Sequence, residues 1–375
     1  MRVRHQEGYV YRKKQNWYLR YREVVQQPDG TSAYVQKCRK LVEYGGDYRT
    51  KSAVKVLADE FLAPLNNGSA SPQSTMLLTQ FVDQLYLPFV KSNKRPSTYA
   101  GYRNMWNLYL KDRCEITLRE FRTFEGESIL NSIVRDFNVS STTVAHIKAF
   151  LSGVFRYAKR QGVINSENPM HDVVLPKARR GGETYAYSLD EINRVLVELP
   201  EKPATIVATA AFTGVREGEL RGMLWENYSG TQVWITQSVW RGHVQEPKTK
   251  ASMAPVPVIA ELAARIDTYR KSSGSPANGL MFPNSVGKPT CMAKLARDVV
   301  RPAFKKAGVA WHGWHAFRRG LATNLHRLGV ADKVIQAILR HSNVAVTQSC
   351  YIKTVGADVE EAMMSLNRAA AAKKA

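Results

Sequence analysis

Cysteine is scarce in this chain, and long apolar runs are missing from it. The four cysteines among 375 residues, at positions 38, 114, 291 and 350, form no CxxC pair. That spacing favours neither a disulfide framework nor a zinc site, and it fits a reducing compartment. No apolar run approaches the roughly 20 residues of a membrane span, and the basic N-terminus leads into no apolar signal segment. We therefore expect a cytoplasmic protein without a membrane partner.

Motifs for metal or nucleotide chemistry are also missing. The sequence has no HExxH motif, no DxD pair near its basic C-terminal cluster and no GxxxxGK[ST] loop. We therefore predict that the chain uses no metal, no ATP and no other cofactor.

Acidic residues are the minority among the charged ones. The chain has 54 lysines and arginines against 32 aspartates and glutamates, a formal net charge of +22. Such a field repels itself, and a polyanionic partner offsets the repulsion. Binding to nucleic acid would then draw much of its free energy from the release of counterions. A basic protein without a nucleic-acid role is the alternative at this point.

Hydrophobic periodicity predicts a small β-sheet with one helix in residues 1–65. Aromatic or apolar residues alternate with basic ones at 9–13 and 16–22, a third strand is expected at 33–38, and 51–61 is helical in period. Basic residues on the open face of such a sheet suit binding in a DNA groove. They are equally consistent with charges that only keep an edge-rich sheet in solution.

The remaining two segments are predicted to be mainly helical. Residues 74–176 follow a polar linker and carry a helical period, with helices opening near Pro96 and Ser140. Residues 183–375 follow a second, basic linker and open with a capping box at Ser188 and Glu191. Strand-like runs at 232–239 and near 254–258 add a small antiparallel sheet. The predicted fold class is a mainly α multidomain protein with an N-terminal β-sheet plus helix domain, an α-helical domain and an α+β domain.

The third segment carries the side chains that are needed to break a phosphodiester. Arginine can donate to two non-bridging oxygens at once, and Arg216 and Arg318 are the candidates. The hydroxyl of Tyr351 can attack phosphorus and be held as a phosphotyrosine, while histidine and lysine can move protons. Each of these residues alone has an ordinary structural interpretation. The ordered set of arginine, lysine, His-x-x-Arg, histidine and tyrosine is not explained that way.

The local contexts of this set resemble the tyrosine recombinase family of the phage-integrase type. The segments that carry the resemblance are TGVREGEL at 213–220, PKTK at 247–250, WHAFRR at 314–319, LRHSN at 339–343 and YIKT at 351–354. They span the whole third segment, which the resemblance makes the catalytic domain (183–375). Residues 74–176 resemble the family's core-binding domain, and residues 1–65 resemble its arm-type DNA-binding domain.

The resemblance implies a role for each matching residue. Tyr351 would be the nucleophile, leaving a 3′-phosphotyrosyl link and a free 5′-hydroxyl, and Arg216 and Arg318 would hold the scissile phosphate. The other implied roles are protonation of the leaving 5′-oxygen by Lys248, proton transfer with Tyr351 by His315, a hydrogen bond to the phosphate from His341, and orientation of the Arg216 neighbourhood by Glu219.

Three positions depart from the pattern of many relatives. Arg340 stands where they have glycine before the last histidine. Cys350 stands at the ninth position after that histidine, where they have the nucleophile, and Tyr351 stands at the tenth. The lysine-bearing turn also offers two candidates, Lys248 and Lys250, of which the Lys-Thr context favours Lys248.

The implied function is site-specific DNA recombination that integrates or excises a mobile element such as a phage, a prophage or a genomic island. The implied partners are double-stranded DNA with core and arm-type attachment sites, a homotetramer on that DNA, and accessory DNA-bending or directionality factors. The implied location is the bacterial nucleoid. Two alternatives stay open, a type IB topoisomerase-like nicking and closing enzyme and a DNA-binding protein that has lost catalysis. The tail at 355–375 either packs on a neighbouring subunit or is a frayed helix.

Overall fold

The chain divides into two compact units, residues 1–182 and 183–375. The computed structural model describes residues 5–27, 31–66, 71–182, 184–246 and 254–340. The lysine-bearing segment at 247–250 and the tail at 355–375 lie outside the described residues. Division of the first unit into an arm-type domain (1–65) and a core-binding domain (74–176) stays a prediction.

The first unit opens with a three-stranded antiparallel sheet in the order β1-β2-β3. The strands are β1 (Tyr9–Lys13), β2 (Asn16–Gln26) and β3 (Ser32–Glu43). A two-residue turn joins β1 to β2, and Lys14 in that turn has φ +54°, as tight hairpins require. The third strand is twice as long as the run at 33–38 that the pattern predicts.

Helix α1 (Lys51–Asn66) covers one face of this sheet. Alternate side chains of β2 point toward the helix, as the period of two of a strand requires. Apolar side chains spaced at the helical period of 3.6 form a stripe on α1 that faces the sheet. The buried side chains that form this core are Val10, Trp17, Leu19, Tyr21, Val54, Ala58 and Leu62. The opposite face carries Tyr11, Tyr18 and Arg20.

The rest of the first unit is helical and encloses a separate apolar core. Its helices are α2 (Leu78–Phe81), α3 (Leu87–Asn93), α4 (Pro96–Met105), α5 (Thr123–Phe137) and α6 (Ser141–Arg160). The hydroxyl of Ser140 accepts a hydrogen bond from the amide of Thr143 and so begins α6. Gly162 adopts φ +68° and the helix ends at Arg160.

A buried carboxylate joins the sheet to the helices within the first unit. Glu23 on β2 is 5% exposed, and both of its oxygens accept hydrogen bonds from the guanidinium of Arg119. The ammonium of Lys37 lies 3.4 Å from the same carboxylate. The amide of Gln26 also donates to the hydroxyl of Thr75. Since a buried carboxylate without cations is costly, these partners hold the sheet against the helical part.

The second unit is helical with two short β-ladders, and the predicted fold class is confirmed. Its elements are α7 (Leu189–Val197), α8 (Glu201–Thr213), α9 (Glu217–Arg221), β4 (Gln232–Trp234), β5 (Ser238–Trp240), β6 (His243–Gln245), β7 (Pro255–Pro257), α10 (Ala260–Ser272), α11 (Met292–Leu295), α12 (Arg301–Lys306), α13 (His315–Arg327) and α14 (Asp332–Leu339). The capping box predicted at Ser188 is present: its hydroxyl accepts from the amide of Glu191, and the Glu191 carboxylate accepts from the amide of Ser188.

The predicted strand run at 232–239 divides into two strands with different partners. β4 pairs with β7, and β5 pairs with β6 through a two-residue turn at Arg241 and Gly242, both of which have positive φ. Along the chain, β6 and β7 therefore lie on either side of the segment that carries the candidate lysines.

Helix α8 is the buried centre of the second unit. Its side chains from Ala204 to Ala211 are buried on every side, so polar groups within it need internal partners. The hydroxyls of Thr205 and Thr209 donate to backbone carbonyls four residues earlier, which satisfies them inside the helix. Helix α13 packs against α8, and α14 packs against α13.

Candidate active site

The turn after α8 brings three helices close together. Gly214 ends α8 with φ +63°, a conformation that glycine adopts without strain. A Cβ built on it would lie 2.6 Å from a methyl of Leu339 on α14 and 2.9 Å from a methyl of Leu321 on α13. The sequence TG at the end of α8 therefore lets the backbone turn directly against α13 and α14.

Arg216 lies just beyond this turn, where α9 begins. Its amide donates to Oε2 of Glu219 at 2.9 Å, and its guanidinium donates to Oε1 of the same carboxylate at 2.7 Å. A carboxylate that accepts from the first amides of a helix also offsets the positive helix end. Glu219 thus fixes both the backbone and the side chain of Arg216.

A second guanidinium reaches Glu219 from the end of α14. Arg340 donates to Oε2 of Glu219 at 2.7 Å. The side chains of Glu219 and Arg340 are 4% and 1% exposed, whereas that of Arg216 is 37% exposed. Of these three groups, the Arg216 guanidinium is therefore the one that faces solvent and can meet an anion.

Burial by itself would raise the pKa of the Glu219 carboxyl. The charge of Arg340, the amide of Arg216 and the charge of Arg216 outweigh that effect and hold the pKa below its usual value. The carboxylate is therefore ionised near neutral pH. One anion between two cations leaves the group of three with one net positive charge.

Arg318 on α13 ties the same elements together. Its side chain is buried, and its guanidinium donates to the carbonyl of Gly214 at 2.6 Å and to the carbonyl of Leu339. Two of the five N–H donors of the guanidinium are thereby used on backbone carbonyls. Contact of Arg318 with a phosphate would use donors other than these two.

His315 begins α13, three residues before Arg318. Its side chain is exposed, but partial desolvation lowers its pKa, and the charges of Arg318, Arg319 and Arg216 lower it further. The imidazole is therefore neutral at pH 7 and can accept a proton. Because the pKa of His315 lies below its ordinary value, the pH must fall further before the imidazole is protonated and can no longer act as a base.

The structure brings Arg216, Glu219 and Arg318 together, with His315 within electrostatic range of both arginines. The roles assigned to them from the sequence stay predictions. The remaining candidates, Lys248, His341 and Tyr351, lie outside the described residues, as do the alternatives Lys250 and Cys350.

Sequence reasoning missed the contribution of Arg340. It identified this residue only as a departure from glycine, because nothing in a linear pattern shows a contact to a carboxylate 121 positions away. Two features of the sequence could have indicated this contact. One is a cation at position 340, where many relatives have glycine, and the other is the carboxylate of Glu219 within TGVREGEL.

Residues 185–355 match the model of the phage integrase family. Among curated proteins, a tyrosine recombinase XerC-like protein of Caldanaerobacter subterraneus is 22% identical over 354 residues, covering 85% of this chain and 90% of that protein. The tyrosine recombinase XerD of Pseudomonas aeruginosa is 24% identical over 290 residues, covering 72% of this chain and 91% of that protein.

Solved structures of similar fold include two integrases with DNA. The Tn1549 transposon integrase in complex with transposon right end DNA aligns with a TM-score of 0.62 at 18% identity, covering 76% of this chain and 99% of that one. A lambda integrase tetramer bound to a Holliday junction aligns with a TM-score of 0.57 at 17% identity, covering 91% of this chain and 94% of that one. The unmatched 9% is shorter than residues 1–65, so the likeness of fold extends into the N-terminal part.

Proposed function

The chain belongs to the tyrosine recombinase family and is a DNA strand-transferring enzyme. From this we propose that it is a site-specific recombinase that integrates or excises a mobile element. It cleaves and rejoins DNA through a 3′-phosphotyrosyl intermediate. The reaction needs no external energy source, because one phosphodiester is exchanged for another.

The proposed cleavage step assigns one task to each side chain. The Tyr351 oxygen attacks phosphorus as its proton passes to His315, and the bond from phosphorus to the 5′-oxygen breaks. Lys248 gives a proton to that 5′-oxygen, leaving a free 5′-hydroxyl. Arg216, Arg318 and His341 balance the charge on the non-bridging oxygens, where a preorganised donor is worth on the order of a hundredfold in rate. Attack by a 5′-hydroxyl from a second duplex reverses these steps and completes strand exchange.

The observation that carries this proposal is the braced arginine at the start of α9. The Arg216 guanidinium faces solvent while a buried carboxylate fixes it from behind. Arg318 attaches the same turn to the carbonyl of Leu339, and the next residues lead to His341 and Tyr351. A fixed cation that faces solvent can hold a phosphate in a set position, as transfer of a phosphoryl group requires.

We propose that the enzyme acts as a homotetramer on two DNA duplexes. The helical part of the first unit would bind the core site, as its resemblance to a core-binding domain implies, and the net charge of +22 favours long contact with phosphates. Accessory factors that bend DNA or set direction would join this assembly. Its substrate places its action at the bacterial nucleoid.

We further propose that the N-terminal sheet binds a second, arm-type DNA site. The face opposite α1 combines the rings of Tyr11 and Tyr18, stacked at 5.8 Å between centroids, with the Arg20 guanidinium 5.3 Å from the Tyr11 ring. Basic and aromatic side chains on an open sheet suit a DNA groove. The contact between Arg20 and Tyr11 holds the cation in place.

Arg20→Ala should weaken binding to accessory sites about tenfold at physiological salt and lower the slope of log affinity against log salt by about one. Binding to the core site should stay unchanged. The measurement is titration of duplexes from the DNA that flanks the gene. Lys55→Ala is the matched control, since it removes one charge from exposed α1 on the other side of the sheet. Equal losses at core and accessory sites would contradict this division of labour.

The experiment that tests the main proposal uses nicked DNA carrying the attachment core, taken from the sequence that adjoins the gene. A nick near the scissile phosphate lets the short fragment diffuse away, so that the enzyme stays linked to DNA. We expect a covalent adduct that survives denaturant, and peptide mapping should find the DNA on Tyr351. A folded enzyme that binds this core and forms no adduct would support the DNA-binding protein that has lost catalysis.

A second assay separates the recombinase from the topoisomerase-like alternative. Two duplexes with attachment cores should yield recombinant strands and a four-way intermediate. Relaxation of supercoiled DNA without any exchange between duplexes would instead identify a nicking and closing enzyme.

A further inference from the structure

Arg340 ends α14 in a backbone conformation that arginine rarely adopts. Its φ is +57°, in the left-handed region that favours glycine. A residue with a Cβ costs roughly 1 kcal/mol more than glycine there. Strain of this kind persists where the side chain contributes something that the surrounding structure depends on.

The Arg340 side chain runs inward to Glu219. It is 1% exposed, and its guanidinium lies 2.7 Å from Oε2 of the carboxylate. The same carboxylate holds the amide and the guanidinium of Arg216. Arg340 therefore reaches the solvent-facing cation of the site through one shared anion.

Sharing the carboxylate changes what Arg216 can offer to a phosphate. With Arg340 present, one anion is divided between two cations and a net positive charge remains. Without Arg340, Glu219 would be neutralised by Arg216 alone, and the net charge of the group would fall to zero. A phosphate oxygen would then compete with a full carboxylate for the same N–H donors.

We propose that Arg340 is a positioning residue for strand cleavage, which acts through Glu219 to hold the Arg216 guanidinium in place and to keep it from being neutralised. The proposal rests on the proposed function, because it takes Arg216 as a residue that grips the scissile phosphate. It also gives the departure from glycine at position 340 a chemical reason.

Arg340→Gly is the sharpest variant because it separates backbone from side chain. If position 340 only ended the helix, glycine would relieve the strain and the cleavage rate would be unchanged. We expect instead that the single-turnover rate of adduct formation falls about 10- to 100-fold, the usual cost of losing a group that orients a reacting side chain. The dissociation constant for the core site should stay within about threefold of the wild-type value, because a side chain that is 1% exposed does not contact DNA directly.

Chemical rescue adds a readout that a structural role would not move. Guanidinium ions should restore part of the rate of adduct formation in Arg340→Gly. The missing side chain leaves a space of the right shape beside the Glu219 carboxylate. They should not restore Arg340→Met, in which an uncharged chain fills that space. Sodium chloride at equal ionic strength is the control for screening. Arg340→Lys keeps the charge with fewer N–H donors, so its rate of adduct formation should lie between those of wild type and Arg340→Gly. If Arg340→Gly does not fold, Arg340→Lys tests the proposal in its place.

A double-variant cycle with Glu219→Gln tests the route of action. Arg340→Met should cost much less in the Glu219→Gln background than in wild type, since its effect passes through that carboxylate. Wild-type rates for Arg340→Gly, or core-site binding that weakens as much as cleavage, would overturn the proposal. Failure of the proposed function is a different result, because then the wild-type protein itself forms no adduct.

Discussion

Replacing Tyr351 by phenylalanine should abolish the covalent adduct with nicked DNA. The change removes one oxygen and leaves the ring, so the side chain keeps nearly the same shape. The proposed mechanism assigns the attacking oxygen to Tyr351, so the cleavage rate should fall by at least about 10⁴-fold. Binding of the core site, measured by titration of the intact duplex, should stay within about twofold.

Cys350→Ser is the matched control for this variant. Cys350 occupies the ninth position after His341, where many relatives of the family place the nucleophile, and a thiolate can attack phosphorus. We expect Cys350→Ser to keep the adduct and the wild-type rate. An adduct that survives Tyr351→Phe and is lost in Cys350→Ser would move the nucleophile by one residue.

Gly320→Ala should destabilise the second unit by about 3 kcal/mol. A Cβ at this position on α13 would lie 2.5 Å from the carbonyl oxygen and 3.0 Å from the amide nitrogen of Tyr187, both backbone atoms. That oxygen also accepts a hydrogen bond from Asn324, so it cannot move away freely. Overpacking typically costs about 1–3 kcal/mol, and we expect about 4 kcal/mol here because the two atoms belong to the backbone. The better helix propensity of alanine returns only about 1 kcal/mol. Thermal unfolding should shift downward by roughly 6–12 °C.

Gly101→Ala makes the same substitution where the structure offers room. Gly101 lies on α4, exposed, with no atom within 4 Å of a Cβ built on it. Only helix propensity then acts, and the first unit should gain about 1 kcal/mol in stability. Hydrogen exchange measured on peptides from each unit shows which unit each substitution stabilises or destabilises. Equal stability changes in the two variants would contradict the proposed backbone clash at Gly320.

Local pattern was enough to predict those parts of the fold in which one short segment determines the outcome. The alternation along β2 predicts its buried face, and the Ser188 capping box predicts the start of α7. Helix α5 (Thr123–Phe137) was not identified, although its buried Ile129, Leu130 and Ile133 follow a helical period. Its N-cap is Arg122, whose side chain makes no capping hydrogen bond, so the usual start signal is missing.

The relations within the site could not be predicted, because they join distant parts of the chain. Motifs indicated that Arg216, Glu219 and Arg318 matter, but not that Arg318 is buried and bonded to the carbonyls of Gly214 and Leu339. Periodicity places residues on faces of single helices, whereas such contacts depend on how helices pack. For the same reason, the shared use of Glu219 by Arg216 and Arg340 required the structure.

The contacts from Arg318 to Gly214 and from Arg340 to Glu219 close loops of 104 and 121 residues. Contacts of such long range cost chain entropy, which must be overcome before the contacts can stabilise the fold. A chain in which these loops have not yet closed carries the motif TGVREGEL but lacks the contacts that fix the Arg216 guanidinium, the group proposed to hold the scissile phosphate. Cleavage by the proposed mechanism would therefore require the complete fold of the second unit.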